Sequence, residues 1–513
     1  MSEAENLEQA PLFTLITTYL GYLILIVFGH VRDFFGKRFR TSEYSYLLSY
    51  NGYAPLVSDF ESFYSRRLYK RIRDCFNRPI TNVPGRHITV LDRYSTDGNK
   101  TFTFTGKTKK CLNLSSYNYL GFAQAEGPCA DAVERAVRQY GIAHASPRNE
   151  AGTCDLHVQL EALVARFVGS EDAMCISMGF ATNSTTLPAL VGKGCLILSD
   201  ELNHASLVFG ARLSQATIRV FKHNDPVSLE AQLREAIAQG QPRTHRPWKK
   251  ILVVVEGLYS MEGSIVNLPA IVALKDRYKF YLYVDEAHSI GALGKQGRGV
   301  CDYYGIDPRK IDVLMGTLTK SFGAAGGYLA GSRAMVAHMK RRCHAPLYAE
   351  TIPICVTQQI ITSLKIIMGE EPTADPMDGE TRIATLSANS RYFAQQLRKR
   401  GFIVYGSEDS PVIPLLLFNP AKIPAFSREC LARGVAVVVV GAPATPIISS
   451  RVRFCLSAAH NKADLDHALA VVDEVGDRLL LKVSRTDPND VKCAPYGSHV
   501  PLFQQNPHLL ASA

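Results

Sequence analysis

Tyr281-Leu282-Tyr283-Val284-Asp285-Glu286-Ala287-His288 sets a wholly apolar and aromatic run directly before two carboxylates and an imidazole. A run that apolar has both faces buried, as a strand inside a parallel α/β sheet does. Its ionisable groups then stand at the carboxyl end. Two further runs repeat the arrangement: Ile251–Val255 (ILVVV) leads into Glu256, and Asp312–Met315 (DVLM) leads through Gly316 into Thr317, Leu318, Thr319 and Lys320. Amphipathic stretches such as Leu268–Tyr278 separate them, so the strands are read as parallel and joined by helices. All three polar sets come to one rim, where open sheets of this kind bind ligands.

Outward from that centre, the alternation of strands and helices assigns 111–385 to a large α/β domain with a mainly parallel central sheet. After a helical stretch at Thr381–Arg400, new strands are predicted at Phe402–Tyr405, Val412–Leu417 and Val435–Val440. They make a smaller C-terminal α+β domain over 386–480, and 481–513 reads as a loosely packed tail. Residues 41–110 form a connector with a basic and aromatic stretch from Tyr64 to Arg73. The net charge of +10 is spread over 57 basic and 47 acidic residues without a long Lys/Arg tract, which speaks against a nucleic-acid partner. Twelve cysteines, among them Cys75, Cys129, Cys195, Cys301 and Cys493, form no CxxC pair. Neither a disulfide framework nor a metal site is expected, and a reducing compartment fits.

Residues 1–40 differ in kind. Pro11–Phe28 (PLFTLITTYLGYLILIVF) carries no charge and is just long enough to cross a bilayer. Glu3, Glu5 and Glu8 precede it instead of the basic residues of a signal peptide. Arg32, Lys37, Arg38 and Arg40 follow, which puts the catalytic mass on the cytosolic side. A helix lying in the interface fits the same composition.

Taken singly, a strand-end lysine is a surface lysine, a strand-end aspartate a helix cap and a strand-end histidine a satisfied core residue. Together they fit pyridoxal 5′-phosphate chemistry. Lys320 would hold the aldehyde as a Schiff base and then serve as general base or acid. Asp285 would keep the pyridine nitrogen protonated, so that the ring accepts electrons. His288 would bond the phenolic oxygen. For the phosphate, Met178-Gly179-Phe180-Ala181-Thr182-Asn183 reads as a turn opening a helix, a place that favours anions. Thr317, Thr319 and Ser321 are the other candidates. His204 could stack on the ring. Arg451 and Arg453 would share one face of a strand, and either suits a substrate carboxylate. No Walker lysine motif is present, so nucleotide hydrolysis is not expected.

These motifs, in this order, resemble the α-oxoamine synthases, fold-type-I (aspartate aminotransferase-like) pyridoxal enzymes that condense an amino acid with an acyl-CoA. The likeness runs from about Asn113 to Asn461. It rests on YNYLGFA at 117–123, MGFATN at 178–183, NHASL at 203–207, VVVEGLYSMEG at 253–263, VDEAHSIGALGKQGRGV at 284–300, GTLTKSFGAAGGY at 316–328 and RVRFCLSAAHN at 451–461. Within the family it looks most like the lysine-bearing catalytic subunits of eukaryotic serine palmitoyltransferases.

The resemblance implies decarboxylating condensation of L-serine with palmitoyl-CoA to 3-oxosphinganine, the first step of sphingolipid biosynthesis. Its implied catalytic residues are Lys320, His204, Asp285 and His288. The implied cofactor set adds Gly179, Phe180, Ala181, Ser260, Thr317 and Thr319, and the substrate set is Arg453, Arg451, Tyr117 and Asn118, with Arg453 favoured for the carboxylate. The implied partners are a related lysine-lacking subunit and small membrane regulatory subunits, at the endoplasmic reticulum membrane. A sister enzyme using glycine or alanine, or a non-catalytic assembly subunit, is the competing reading; Lys320, Asp285 and His288 argue against the latter. At Tyr140–Gly152, Pro147 departs from the family's glycine-richer loop, beside Ser146 and Arg148.

Overall fold

The computed structural model describes residues 8–49, 51–55, 57–371, 378–487, 491 and 496; Cys493 and most of the expected tail lie outside them. Two strands open the body, β1 (His87–Tyr94) and β2 (Thr103–Asn113), paired antiparallel. The large sheet follows in β3 (Asp172–Ile176), β4 (Leu196–Asp200), β5 (Thr217–Phe221), β6 (Ile251–Glu256), β7 (Tyr281–Asp285), β8 (Val313–Thr317) and β9 (Gly327–Gly331). Its order is β3-β9-β8-β7-β6-β4-β5. Neighbours are parallel except where β9 pairs antiparallel with β3 and β8. This is the doubly covered, mainly parallel sheet expected of a fold-type-I pyridoxal transferase.

The apolar runs are continuous because each face meets its own helical layer. Val254, Tyr283 and Met315 pack under helices Gly179–Leu190, Ala205–Leu213 and Arg333–Arg342. Val253, Val255, Leu282, Val284 and Leu314 pack against Asp155–Val168, Leu268–Tyr278 and Ile354–Ile367 on the other side. Each such side chain contributes about 1.5–3 kcal/mol through burial. The helix expected over Leu268–Tyr278 forms with those bounds, capped by Asn267, whose side chain accepts from the Ala270 amide.

The C-terminal part holds β10 (Val412–Leu416), β11 (Val435–Ala436), β12 (Val438–Val440) and β13 (Arg451–Cys455). The single strand expected over Val435–Val440 is two, because the chain changes sheets at Val437. β11 runs parallel to β2, while β12 and β10 flank β13. The strand expected at Phe402–Tyr405 shrinks to one bridge, Val404 with Leu415. Its partner offers Pro414, which accepts from the Tyr405 amide at 2.9 Å but has no N–H to return. Helix Gly379–Lys399 helps join this part to helix Val300–Tyr304 of the large domain: buried Asp409 accepts from Arg391 Nε at 2.5 Å and Tyr303 OH at 2.8 Å.

Helix Leu12–Phe39 lies at the N-terminus, with a mean hydropathy of 2.0 over its most apolar window, of which 17% is buried. It is long and apolar enough to cross a membrane. Its buried residues, Thr18, Tyr22, Gly29 and Asp33, form one narrow stripe. Tyr22 OH sits 3.4 Å from Ser450 Oγ, Asn419 Nδ2 donates to the Thr17 carbonyl at 3.5 Å, and Asp33 pairs with Arg66 and Arg67.

Candidate active site

Register builds the centre of the site. Glu256 stands opposite Asp285 and Asp285 opposite Met315, on the sheet face that helices Gly179–Leu190 and Ala205–Leu213 cover. Asp285, 3% exposed, accepts from Asn183 Nδ2 at 2.7 Å and from the Ala287 amide at 2.8 Å. Asn183 also donates to Ser206 Oγ at 3.0 Å, and its own oxygen accepts from Tyr283 OH at 2.8 Å. Ser206 Oγ is 2.8 Å from His204 Nδ1. A chain of polar groups, buried as far as Ser206, therefore runs from Asp285 out to the exposed ring of His204. His204 also caps helix Ala205–Leu213, its Nδ1 accepting from the Ser206 amide at 3.2 Å. The capping role and the site role coincide.

His288 is buried, and Tyr119 OH lies 2.8 Å from its Nδ1. With that phenol donating, Nε2 carries the ring proton and is the donor left over. Burial holds both His204 and His288 below the usual imidazole range, so each ring enters the site neutral. Lys320 Nζ lies 5.5 Å from the centre of the Tyr117 ring. Burial pushes its ammonium down to about 8, which makes the free amine accessible near neutral pH.

Arg453 covers the same Tyr117 ring at 4.8 Å, and the ring meets His288 edge-on at 5.0 Å. Lys320, His288 and Arg453 thus converge on one aromatic side chain. The two arginines of β13 part company here. Arg451 donates to the Ser449 and Met261 carbonyls at 2.8 and 2.7 Å and faces Glu262 at 3.4 Å. Arg453 reaches the Ser260 carbonyl at 3.3 Å and Met261 Sδ at 3.5 Å and is also held by the Tyr117 hydroxyl, but its buried Nε has no hydrogen-bond partner among the described residues. A buried guanidinium nitrogen left open is costly unless a ligand fills it.

Both expected phosphate elements come together. A Cβ on Gly179 would lie 2.9 Å from Thr317 Oγ1, which is itself 2.8 Å from Thr319 Oγ1. The amides of Gly179, Phe180 and Ala181 open the helix, where first-turn N–H groups lack intrahelical acceptors. Only glycine admits so close an approach. A cavity of about 500 Å³ reaches Lys320, walled by Tyr117, Asn118, Phe122, Val83 and Val356. Asn118, on that wall, has its side-chain amide tied on both sides, donating to the Pro84 carbonyl at 3.4 Å and accepting from the Ala123 amide at 3.1 Å. It shapes the turn. In the loop carrying Pro147, Arg148 is bound to Glu161 at 2.9 and 3.2 Å and Ser146 Oγ accepts from the Ala151 amide at 3.2 Å, so both build the loop itself.

Sequence reasoning gave no role to Asn183, Ser206 or Tyr119, although all sit inside quoted motifs. The signal was available for Asn183, which lies one helical turn from Gly179 and so on the same face.

The chain is similar over most of its length to known proteins. The aminotransferase class I and II family profile matches residues 109–472. The chain is 55% identical to serine palmitoyltransferase 2 of Schizosaccharomyces pombe over 93% of this chain and 79% of that one. It is 52% identical to serine palmitoyltransferase 3 of Homo sapiens (94% and 87%) and 51% identical to long chain base biosynthesis protein 2a of Arabidopsis thaliana (94% and 97%). Among solved structures, Sphingomonas wittichii serine palmitoyltransferase aligns with a TM-score of 0.72 at 27% identity, covering 83% of this chain and 99% of that one. A structure of SPT with PLP internal aldimine aligns at 0.71 and 25% identity, covering 83% and 100%. The chain belongs to the serine palmitoyltransferase 2 family, within the class I and II aminotransferases.

Proposed function

We propose that this chain is the lysine-bearing, catalytic subunit of a serine palmitoyltransferase. The reaction joins the α-carbon of L-serine to the acyl carbon of palmitoyl-CoA, breaks the thioester and the bond to the serine carboxylate, and releases 3-oxosphinganine, coenzyme A and carbon dioxide. The observation that carries this reading is the convergence on Tyr117 of Lys320 and the open guanidinium of Arg453.

Pyridoxal phosphate fits the residues present: a half-buried lysine with a lowered pKa, a carboxylate held by Asn183, and a glycine-floored helix end beside two threonine hydroxyls. When bound, it supplies an aldehyde that captures amines and a ring that withdraws electrons from the α-carbon. Lys320 Nζ would hold the aldehyde and afterwards move the α-proton. Asp285 would face the pyridine nitrogen and His288 Nε2 the phenolic oxygen, while His204 would present its neutral ring. Thr317, Thr319 and the amides of 179–181 would bind the phosphate. Arg453 would take the serine carboxylate through Nε and one Nη, and Tyr117 holds that guanidinium in place. Ser260 supports Arg453 through its carbonyl.

The helix Leu12–Phe39 anchors the enzyme at the endoplasmic reticulum membrane with the catalytic body in the cytosol. Contacts of Thr17 and Tyr22 with Asn419 and Ser450 fall in the middle of the apolar stretch. They favour a helix lying along the membrane surface, its stripe on the protein and its other faces in lipid. The partner is the related lysine-lacking subunit, with small membrane regulatory subunits. Exposed Phe180, Phe209 and Leu213 beside the site are the apolar surface such a partner would cover.

The test is an activity screen of the purified complex with serine, glycine and alanine against acyl-CoAs of varied length. Serine with palmitoyl-CoA should lead; a preference for glycine or alanine would transfer the assignment to a sister synthase.

A further inference from the structure

We infer that Glu256 is a positioning residue of this site, a neutral carboxylic acid that fixes the main chain of His204 and leaves Asp285 as the carboxylate of the rim. This rests on the cofactor site proposed above. Glu256 ends β6, is 3% exposed, and stands beside Asp285 in register on the same sheet face. Its Oε1 accepts the His204 amide hydrogen. The preceding residue is tied to the same strand, Asn203 Nδ2 donating to the Val254 carbonyl at 2.8 Å. Two consecutive attachments to β6 therefore set where His204 begins its helix.

No ion pair includes Glu256 among the described residues; Arg453 is turned to Ser260 and Met261, and Lys320 to Tyr117. Two buried carboxyl groups side by side without a bonded cation do not both ionise. Asp285 accepts two hydrogen bonds, whereas the Glu256 carboxyl accepts the His204 amide alone among the described residues. Burial first, then the neighbouring Asp285, pushes the Glu256 carboxyl well above the usual range. An acid in this state still accepts the amide through its carbonyl oxygen.

Glu256→Gln and Glu256→Leu, made in the purified holoenzyme and its apo form, separate the alternatives. Glutamine keeps an acceptor and the neutral charge, so its cofactor dissociation constant should stay within about twofold of the parent; leucine should weaken binding about tenfold or more. Infrared difference spectra of parent minus Glu256→Gln should show a protonated-carboxyl stretch. The inference is overturned if glutamine weakens binding as leucine does, if the difference spectrum shows only a carboxylate, or if leucine binds like the parent. Should the leucine variant fail to fold, glutamine and the infrared spectrum decide. Retention of the visible cofactor band in Lys320→Ala would instead sink the site assignment, without touching the protonation of Glu256.

Discussion

At the carboxyl rim of the large sheet, polar side chains are buried and engage one another: Asp285, Asn183, Ser206 and Tyr283 form an unbroken chain. Along Leu12–Phe39 the reverse holds, with Leu12, Phe13, Ile16, Leu20, Leu23 and Phe28 exposed. Folding alone favours neither arrangement, since buried polar groups gain little net stability and exposed apolar faces gain none. Each region is completed by something outside the chain. The rim offers open donors of defined direction, which suits a small anionic ligand. The helix offers area without direction, which suits lipid.

The sharpest break in that comparison should come from the two arginines. Arg453→Ala is expected to raise the serine KM on the order of a hundredfold, with the acyl-CoA KM little changed. Arg451→Ala, whose partners are all internal, should lower the melting temperature and leave the serine KM near the parent value. An equal effect of Arg453→Ala on both substrates would remove it from the carboxylate role.

Lys320 gives the next effect. Capture of pyridoxal phosphate by the apoenzyme needs the free amine, and burial sets the ammonium at about 8. The capture rate should rise about tenfold per pH unit below that value and level above it. Stopped-flow absorbance measures this; a rise continuing to the range of an ordinary lysine would show that the site does not desolvate it.

Asn183→Leu keeps the branched shape, removes the polar atoms and cuts the chain between Asp285 and His204. Cofactor affinity should fall by about tenfold, with a stability loss of about 1–3 kcal/mol, read by titration and by thermal melts. At the helix, Leu20→Gln with Leu23→Gln should weaken binding to phospholipid vesicles several-fold, at about 1 kcal/mol or less per exchange, and leave the visible band unchanged. Unchanged vesicle binding would show that another surface holds the enzyme to the membrane.

Much of the rim was legible in the sequence because a strand buried on both faces is apolar to its last residue, so Glu256, Asp285 and Lys320 mark the strand ends by contrast. The chain from Asp285 to His204 was not, since Asn183 reaches Asp285 across 102 residues and no local pattern encodes that contact. Nor could alternation choose between Arg451 and Arg453, which share a face; Glu262 and the Met261 carbonyl make the choice. The apolar stretch was plain from composition, but its seam on Asn419 and Ser450 depends on residues some four hundred positions away. Pro414 shortened one expected strand through a missing N–H on the neighbouring strand.

Borohydride reduction of the purified holoenzyme, followed by peptide mapping, tests the central claim most directly, because it fixes a bound aldehyde cofactor on the lysine that holds it. The account predicts the pyridoxyl label on Lys320 alone, and no label in Lys320→Ala; a label on any other lysine, or its survival in that variant, would contradict it.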